Sequence, residues 1–167
     1  MIPVGRAVTV RVPATTANLG PGFDTLGLAL ALYDELTVTV RDAPGAFVDV
    51  HGVGEGEVPT DDTNLVVRSI AHTFAAYGQE MPGLDLVARN VIPHGRGLGS
   101  SGAAIASGVV AAQGLLEGVV EIDALGLLAR ATELDEQTAA TPWQSLVLAV
   151  DIKGATVVLH PDDVKQP

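Results

Sequence analysis

Apolar and polar residues alternate in four short segments of the chain, which is the pattern of strands that bury one face. The segments are 8–12, 35–41, 47–51 and 84–88. Residues 43–45 read Ala-Pro-Gly, a composition that favours a turn. We therefore expect the third strand to pair with the second strand across this turn.

The spacing of apolar residues changes to a helical period after residue 62. A helix is predicted to begin near Asp62 or Thr63, both suitable N-cap residues, and to end at Gly78. A second helix is predicted from about Ser100 to Glu117, and small residues dominate it. Such a helix can pack very close to its neighbours, so we expect it to be buried. The apolar face of the first helix consists of Leu65, Val66, Ile70, Phe74 and Tyr77.

The last part of the chain is predicted to hold one more helix and a hairpin. The helix is predicted from about Asp123, its expected N-cap, to Glu133 or slightly beyond it. Two apolar runs follow at 146–150 and 155–159, and the polar turn between them predicts a hairpin. Strands and helices are mixed without a regular βαβ period, so we predict a single α+β domain over 1–167 rather than a doubly wound sheet.

Composition and charge exclude several classes of function. The 167 residues carry a formal net charge of −11, so we expect neither nucleic acid nor an anionic membrane as a partner. The chain has no cysteine, which excludes disulfides and thiolate zinc sites. Residues 1–12 lack the apolar core of a signal peptide, and the longest apolar run, 103–116, is too short to span a bilayer. We therefore expect a soluble, cytoplasmic protein.

The segment PHGRGLGSSGAA at 93–104 is the strongest functional signal in the chain. Its alternating glycines predict a loop in which main-chain amides converge, and the serine pair opens a helix whose N-terminus favours phosphate. Serine hydroxyls add donors, or ligands for a hard cation that prefers oxygen. The predicted nucleotide-phosphate site consists of Pro93, His94, Gly95, Arg96, Gly97, Leu98, Gly99, Ser100, Ser101, Gly102 and Ala103.

The residues of this glycine loop leave two interpretations open. The loop lacks the Lys-Ser or Lys-Thr ending of the common P-loop, and it lacks the ribose-binding acid of a dinucleotide fold. It is therefore either a phosphate site of another kind or a structural turn between a strand and a helix. Arg96 either faces phosphate oxygens or lies in solvent.

A second unusual segment, PATTANLGPGFDTLGLAL, occupies 13–30. Its prolines and glycines predict a turn-forming connection between the first two strands. Asn18 and Asp24 are polar residues beside glycines that permit close approach of the main chain. They are either ligands for a small polar substrate or turn residues that hydrogen-bond their own backbone, and the residues alone favour the turn.

Glu133 and the histidines are weaker candidates for chemistry. Glu133 lies near the end of an otherwise apolar predicted helix, where it is either a surface residue or one carboxylate of a Mg²⁺ site. The four histidines show no zinc spacing, and the sequence supports no Ser/His/Asp set. They are His51, His72, His94 and His160.

Together, the segment at 13–30 and the glycine loop, in this order and separation, resemble the N-terminal half of a homoserine kinase of the GHMP kinase superfamily. The loop alone would also fit mevalonate or galactose kinases. The first segment narrows the resemblance, because sugar kinases carry an acid and histidine cluster that is absent here. The resemblance covers about 8–134.

The resemblance implies a fold and a reaction. The fold is a two-layer α+β domain in which a mixed sheet packs against helices, here completed by the C-terminal hairpin. The reaction is transfer of the γ-phosphoryl group of ATP to the side-chain hydroxyl of L-homoserine, a step toward threonine. Members of the family often dimerise, so a homodimer is also implied.

The resemblance also implies roles for individual residues. The glycine loop would hold the phosphates of ATP, while Ser100 or Ser101 and Glu133 would hold Mg²⁺. Asn18 and Asp24 would bind L-homoserine. Asp24 is the candidate catalytic residue, orienting the ammonium or hydroxyl group of the substrate rather than acting as a general base. Positioning and charge neutralisation supply most of the catalysis in phosphoryl transfer, so no strong base is required.

From about residue 135 the chain departs from the family pattern. Family members continue with a segment of the type Glu-Gly-His-Pro-Asp-Asn-Val, where this chain has DEQTAATPWQSLVLAV. A short similar stretch appears only at 160–164, displaced, and no function is carried onto it. The chain then stops at about half the length of a family member, without the arginines and second glycine-rich segment of the other half.

Three interpretations of the shortened chain remain. It is a homoserine kinase homologue with a nearly complete nucleotide site and an incomplete substrate site. Alternatively, it is a truncated or engineered scaffold without turnover, whose tail hairpin covers apolar surface. In the third interpretation a partner chain binds that surface and the protein is an interaction module. We expect a folded domain with impaired activity.

Overall fold

The computed structural model of the chain describes residues 2–20, 26–119 and 156–159. Within these residues one five-stranded sheet has the strand order β3-β4-β2-β1-β5, and two helices pack against it. This arrangement confirms the predicted α+β class. The elements are β1 Ala7–Ala17, β2 Gly27–Arg41, β3 Ala46–Gly52, α1 Leu65–Ala76, β4 Gly83–Asn90, α2 Ser100–Leu116 and β5 Thr156–Leu159.

The alternating residues of the strands form one wall of the core. Val8, Val10 and Val38 are fully buried, as the alternation predicts. Burying such side chains stabilises the fold by about 1.5–3 kcal/mol each. From the helices, Ile70 and Phe74 are also fully buried and close the core on the other side.

The predicted pairing of β3 with β2 is wrong. β4 lies between these two strands, antiparallel to β2 and parallel to β3, so that Val48 is opposite Leu86. The parallel pairing follows from the connection, because α1 carries the chain from the end of β3 to the start of β4. The polar exposed residues of β3, such as Asp49, suit a strand at the edge of the sheet.

β1 and β2 are longer than the alternation predicts. They continue into the glycine- and proline-rich segment as a two-stranded arm, so part of the expected connection is strand. Their register shifts between Pro13 and Ala14. Proline has no N–H to donate to the ladder, and such interruptions bend and twist the pair. Leu28 of this arm is 48% exposed, and Leu26, which directly precedes β2, is 55% exposed.

The N-cap of α1 is Asn64, and the prediction of Asp62 or Thr63 is wrong by one or two positions. The Asn64 side chain accepts a hydrogen bond of 2.9 Å from the Val66 amide. Asp62 instead accepts from the Ala46 amide at 2.8 Å, at the start of β3. The helix ends before Gly78, which has φ of 65° as predicted for a stop residue.

α2 lies close to its neighbours because of its small residues, which confirms the sequence prediction. A Cβ added at Gly108 would lie 2.7 Å from the carbonyl oxygen of Val66 in α1. One added at Gly114 would lie 3.1 Å from Val8 in β1. The guanidinium of Arg6 donates to the carbonyl of Gly114 at 3.2 Å and to that of Glu117 at 2.9 Å. These contacts fix the C-terminal end of α2 against the sheet.

The tail contributes one described strand. β5 pairs antiparallel with β1, with Val10 opposite Val157, within the predicted run at 155–159. The other predicted hairpin strand at 146–150 and the predicted helix from Asp123 to Glu133 lie outside the described residues. No helix in the described part of the chain has the length and hydropathy that crossing a membrane requires.

Candidate phosphate-binding site

The glycine loop connects the end of β4 to the start of α2. Gly95, Gly97 and Gly99 have φ of 66°, 70° and 71°. This left-handed region costs a residue with a Cβ roughly 1–2 kcal/mol, so the alternating glycines are needed for the path of the loop. A Cβ at Gly95 or Gly97 would meet nothing within 4 Å, so the loop faces open space there.

The main-chain amides of the loop and of the first helical turn are available to a ligand. Among the described residues, the amides of Gly95, Gly97 and Gly99 donate no hydrogen bond to a carbonyl or a side chain. The N-cap of α2 is Gly99, which supplies no side-chain cap, and the first amide bonded within the turn is that of Ala103, to Gly99 at 2.8 Å. The positive end of the helix dipole adds to these donors, and the combination favours an anion.

Two hydrogen-bonded contacts anchor the loop to the sheet. Before the loop, one carboxylate oxygen of Asp34 accepts from the amides of Val91 and Ile92 at 2.7 and 2.9 Å. Near the end of the loop, the Thr15 amide donates to the carbonyl of Leu98 at 3.0 Å. The loop is therefore attached to β2 at one end and to β1 at the other.

Sequence reasoning missed both anchoring residues, although Asp34 carries a signal. Val40, Val38 and Leu36 alternate as the buried face of β2, and Asp34 is the next position on that face. A carboxylate where the alternation calls for an apolar residue needs hydrogen-bond partners. Thr15 carries no comparable signal, because threonine is common in strands.

A narrow cleft with a cavity of about 50 Å³ runs beside the loop. His94 and Ser100 of the loop segment line it, together with Asn64 and Asn90. The ring of His94 lies against Gly54, where a Cβ would be only 2.7 Å from the ring. The turn that follows β3 thus packs directly on the glycine loop.

The two serines differ in exposure. Ser100 is half-buried at the cleft and Ser101 is exposed. Neither hydroxyl has a hydrogen-bond partner in the described part of the chain, whereas that of Ser107 donates to the carbonyl of Ala104. Free hydroxyls beside an anion site fit a hard cation that also binds phosphate oxygens.

The carboxylate expected for a Mg²⁺ site is not in this part of the structure. Within residues 2–20, 26–119 and 156–159, no three acidic or histidine side chains are grouped as metal ligands. Glu133, the predicted ligand, lies outside the described residues. The serines therefore fit an ion whose remaining ligands are phosphate oxygens, water and a carboxylate from outside the described residues.

The substrate residues predicted in the segment at 13–30 are described in part. Asn18 follows β1 directly, is exposed, and has φ of 57°, the left-handed conformation that asparagine tolerates better than most residues. Asp24 lies outside the described residues. The roles of Asn18 and Asp24 remain predictions.

Comparison with known proteins places this architecture among kinases. The family description "GHMP kinases N terminal domain" matches residues 64–144, which include the glycine loop and α2. A homoserine kinase of Clavibacter michiganensis subsp. michiganensis is 80% identical over 131 residues, covering 78% of this chain and 42% of that protein. A homoserine kinase of Rhodococcus erythropolis is 46% identical over 162 residues, covering 97% of this chain and 45% of that protein, so this alignment extends past residue 134.

A solved structure supports the same relationship. The crystal structure of homoserine kinase from Cytophaga hutchinsonii matches with a TM-score of 0.67 and 32% identity, covering 80% of this chain and 43% of that one. The chain thus spans less than half the length of the curated relatives it matches.

Proposed function

We propose that the chain, whose residues 64–144 match the GHMP kinase N-terminal domain and which is similar to homoserine kinases, binds ATP through the glycine loop for phosphoryl transfer to the hydroxyl of L-homoserine. The observation that carries this proposal is the set of amides at Gly95, Gly97 and Gly99 that have no hydrogen-bond acceptor among the described residues, next to a helix N-terminus without a side-chain cap. On the basis of the similarity to homoserine kinases, the proposal includes a cytoplasmic location, a role in threonine biosynthesis and a homodimer as the oligomeric state to be tested.

The loop would act mainly by positioning the phosphates. Its amides are held in place before the ligand arrives, because both ends of the loop are anchored to the sheet. Donors fixed in advance require little reorganisation as charge shifts between phosphate oxygens, which is the usual contribution of a protein to phosphoryl transfer. Arg96, exposed within the loop, would add a positive charge to the same phosphates.

Mg²⁺ and the acceptor would engage the remaining predicted residues. Ser100 or Ser101 would hold Mg²⁺ together with Glu133, and the ion would neutralise charge on the β- and γ-phosphates. Asn18 and Asp24 would hold L-homoserine, with Asp24 orienting its ammonium or hydroxyl group. These assignments rest on the match of each residue to the family pattern.

Isothermal titration of the 167-residue chain with Mg-ATP tests the nucleotide site. Gly97→Ala and Gly56→Ala form a matched pair, because the two glycines have φ of 70° and 71° and both have open space at the Cβ. The substitutions carry the same backbone strain, but only Gly97 lies in the loop. We expect Gly97→Ala to weaken Mg-ATP binding about tenfold or more and Gly56→Ala to leave it unchanged. Equal affinities in all three proteins would contradict the proposed site.

A product assay separates turnover from binding. With L-homoserine and Mg-ATP together, phosphorus NMR should show phosphohomoserine, and no such signal should appear when L-homoserine is omitted. The alternative considered from the sequence is a nucleotide-binding scaffold that lacks turnover. Binding of Mg-ATP without phosphohomoserine at high protein concentration would select that candidate.

A further inference from the structure

The main chain between β4 and the glycine loop depends on a single carboxylate. The ladder between β2 and β4 ends at the pair Glu35 and Arg89. Val91 and Ile92 follow it, and their amides donate to the same carboxylate oxygen of Asp34. Asp34 therefore replaces a strand partner for two successive amides at the point where the chain leaves the sheet.

The surroundings make this contact a fixed point for the loop. Ile92 is fully buried, and Pro93 restricts the backbone immediately after it. Hydrogen bonds to a charged acceptor are stronger than those between neutral groups. Asp34 thus fixes the direction of the main chain at Val91 and Ile92, immediately before the loop begins.

The position of Asp34 in its own strand is also unusual. Asp34 lies on the same face of β2 as the buried Leu36, and it lines the cleft together with Ser100 and His94. A negative charge beside an anion site opposes binding of the anion. The charge of Asp34 therefore does not explain why an aspartate lies beside a phosphate site. Its two hydrogen bonds to the main chain before the loop do explain it, because they hold the loop in position.

We propose that Asp34 is a positioning residue for the phosphate loop, acting through the amides of Val91 and Ile92. The inference rests on the proposed function, since it concerns the same loop. If Asp34 acted only through its charge, the substitutions Asp34→Asn and Asp34→Ala would have similar effects, whereas the positioning role predicts different effects. Asparagine keeps an oxygen acceptor without the charge, so Asp34→Asn should retain the loop geometry, whereas Asp34→Ala should lose it.

The binding test uses Mg-ATP titration of three variants of the full chain. We expect Asp34→Ala to weaken binding about tenfold or more, and Asp34→Asn to stay within about threefold of the wild type. Asp62→Ala is the control, because Asp62 also accepts a main-chain amide, from Ala46, at a place distant in sequence from the loop. It should leave the affinity unchanged. Wild-type affinity in Asp34→Ala, or equal loss in Asp34→Ala and Asp34→Asn, would overturn the proposal.

A second measurement needs no nucleotide. Nitrogen-15 relaxation of Gly95, Gly97 and Gly99 should show larger fast motions in Asp34→Ala than in the wild type or in Asp34→Asn. Unchanged relaxation in a folded Asp34→Ala variant would refute the positioning role. Failure of the wild type to bind Mg-ATP would instead contradict the proposed function and leave the relaxation test valid. If Asp34→Ala does not fold, the same relaxation measurement is made on Asp34→Glu. This variant keeps the charge but displaces the carboxylate oxygens, so the motion of the loop glycines should increase.

Discussion

The side chain of Thr15 in β1 lies against the main chain at Gly99, at the N-cap of α2. A Cβ on Gly99 would overlap with the hydroxyl oxygen of Thr15 and would lie 3.2 Å from its carbonyl oxygen. Gly99 is therefore restricted twice, by its positive φ and by the adjacent strand. The strand and the loop are in direct contact at the residue that begins the helix.

This contact predicts that the glycines of the loop are not equivalent. Gly99→Ala should destabilise the fold by about 1–3 kcal/mol, because backbone strain and overlap with Thr15 act together. Gly97→Ala, with nearly the same φ but open space, should cost about 1 kcal/mol. Urea unfolding of both variants measures the difference. Equal losses would show that Thr15 yields to the added methyl group.

The packing of α2 on α1 gives a second prediction. Gly108→Ala places a methyl group 2.7 Å from the carbonyl oxygen of Val66 and 2.8 Å from the Cβ of Ser69. Neither atom is the end of a flexible side chain, so the helices must separate, at a cost of about 1–3 kcal/mol. Gly102→Ala in the same helix meets nothing within 4 Å and should be neutral or stabilising by up to about 1 kcal/mol. The unfolding temperature should therefore fall for Gly108→Ala and should stay the same or rise for Gly102→Ala.

Arg6 gives a third prediction. Its guanidinium donates to two carbonyls at the end of α2, those of Gly114 and Glu117. Arg6→Ala removes both hydrogen bonds and a positive charge from the negative end of the helix dipole, so the free energy of unfolding should fall by about 1–2 kcal/mol. Arg96→Ala is the control for loss of an arginine and should leave stability within about 0.5 kcal/mol. A loss no larger for Arg6 than for Arg96 would mean that α2 is held by its packing alone.

How far the sequence predicts this fold can be judged from particular elements. Alternation located the strands around Val10 and Val38 because one face of each is buried, and small residues marked α2 because it packs closely. Alternation does not identify strand partners, so the parallel pairing of Val48 with Leu86 could not be read from it. The glycine loop was recognisable because positive φ selects glycine.

The N-cap of α1 and the anchors of the loop show a second limit. Asp62, Thr63 and Asn64 are three successive residues of types that cap helices, and local propensity does not choose among them. The choice depends on a tertiary contact, since Asp62 is engaged by the Ala46 amide. Asp34 likewise acquires its role only when β4 is placed beside β2.

The turn before α1 gives the fourth prediction, on pH dependence. The hydroxyl of Thr63 donates to the carboxylate of Asp61 at 2.6 Å, and the Thr63 amide donates to it at 2.9 Å. These hydrogen bonds, the hydroxyl first, hold the pKa of Asp61 below its ordinary value of 3.8. Because the pKa is lower in the folded state, the stabilisation is complete above the ordinary value and is lost as pH falls through the folded pKa.

Subtracting the unfolding free energy of Asp61→Asn from that of the wild type isolates this contribution from other titrating groups. The difference should be constant from about pH 5 to 7 and should decrease below about pH 4. Thr63→Val removes the hydroxyl that contributes most to the lowered pKa, so in that background the difference should depend much less on pH. A difference that stays constant down to about pH 2 would show that Asp61 keeps its ordinary pKa in the folded chain.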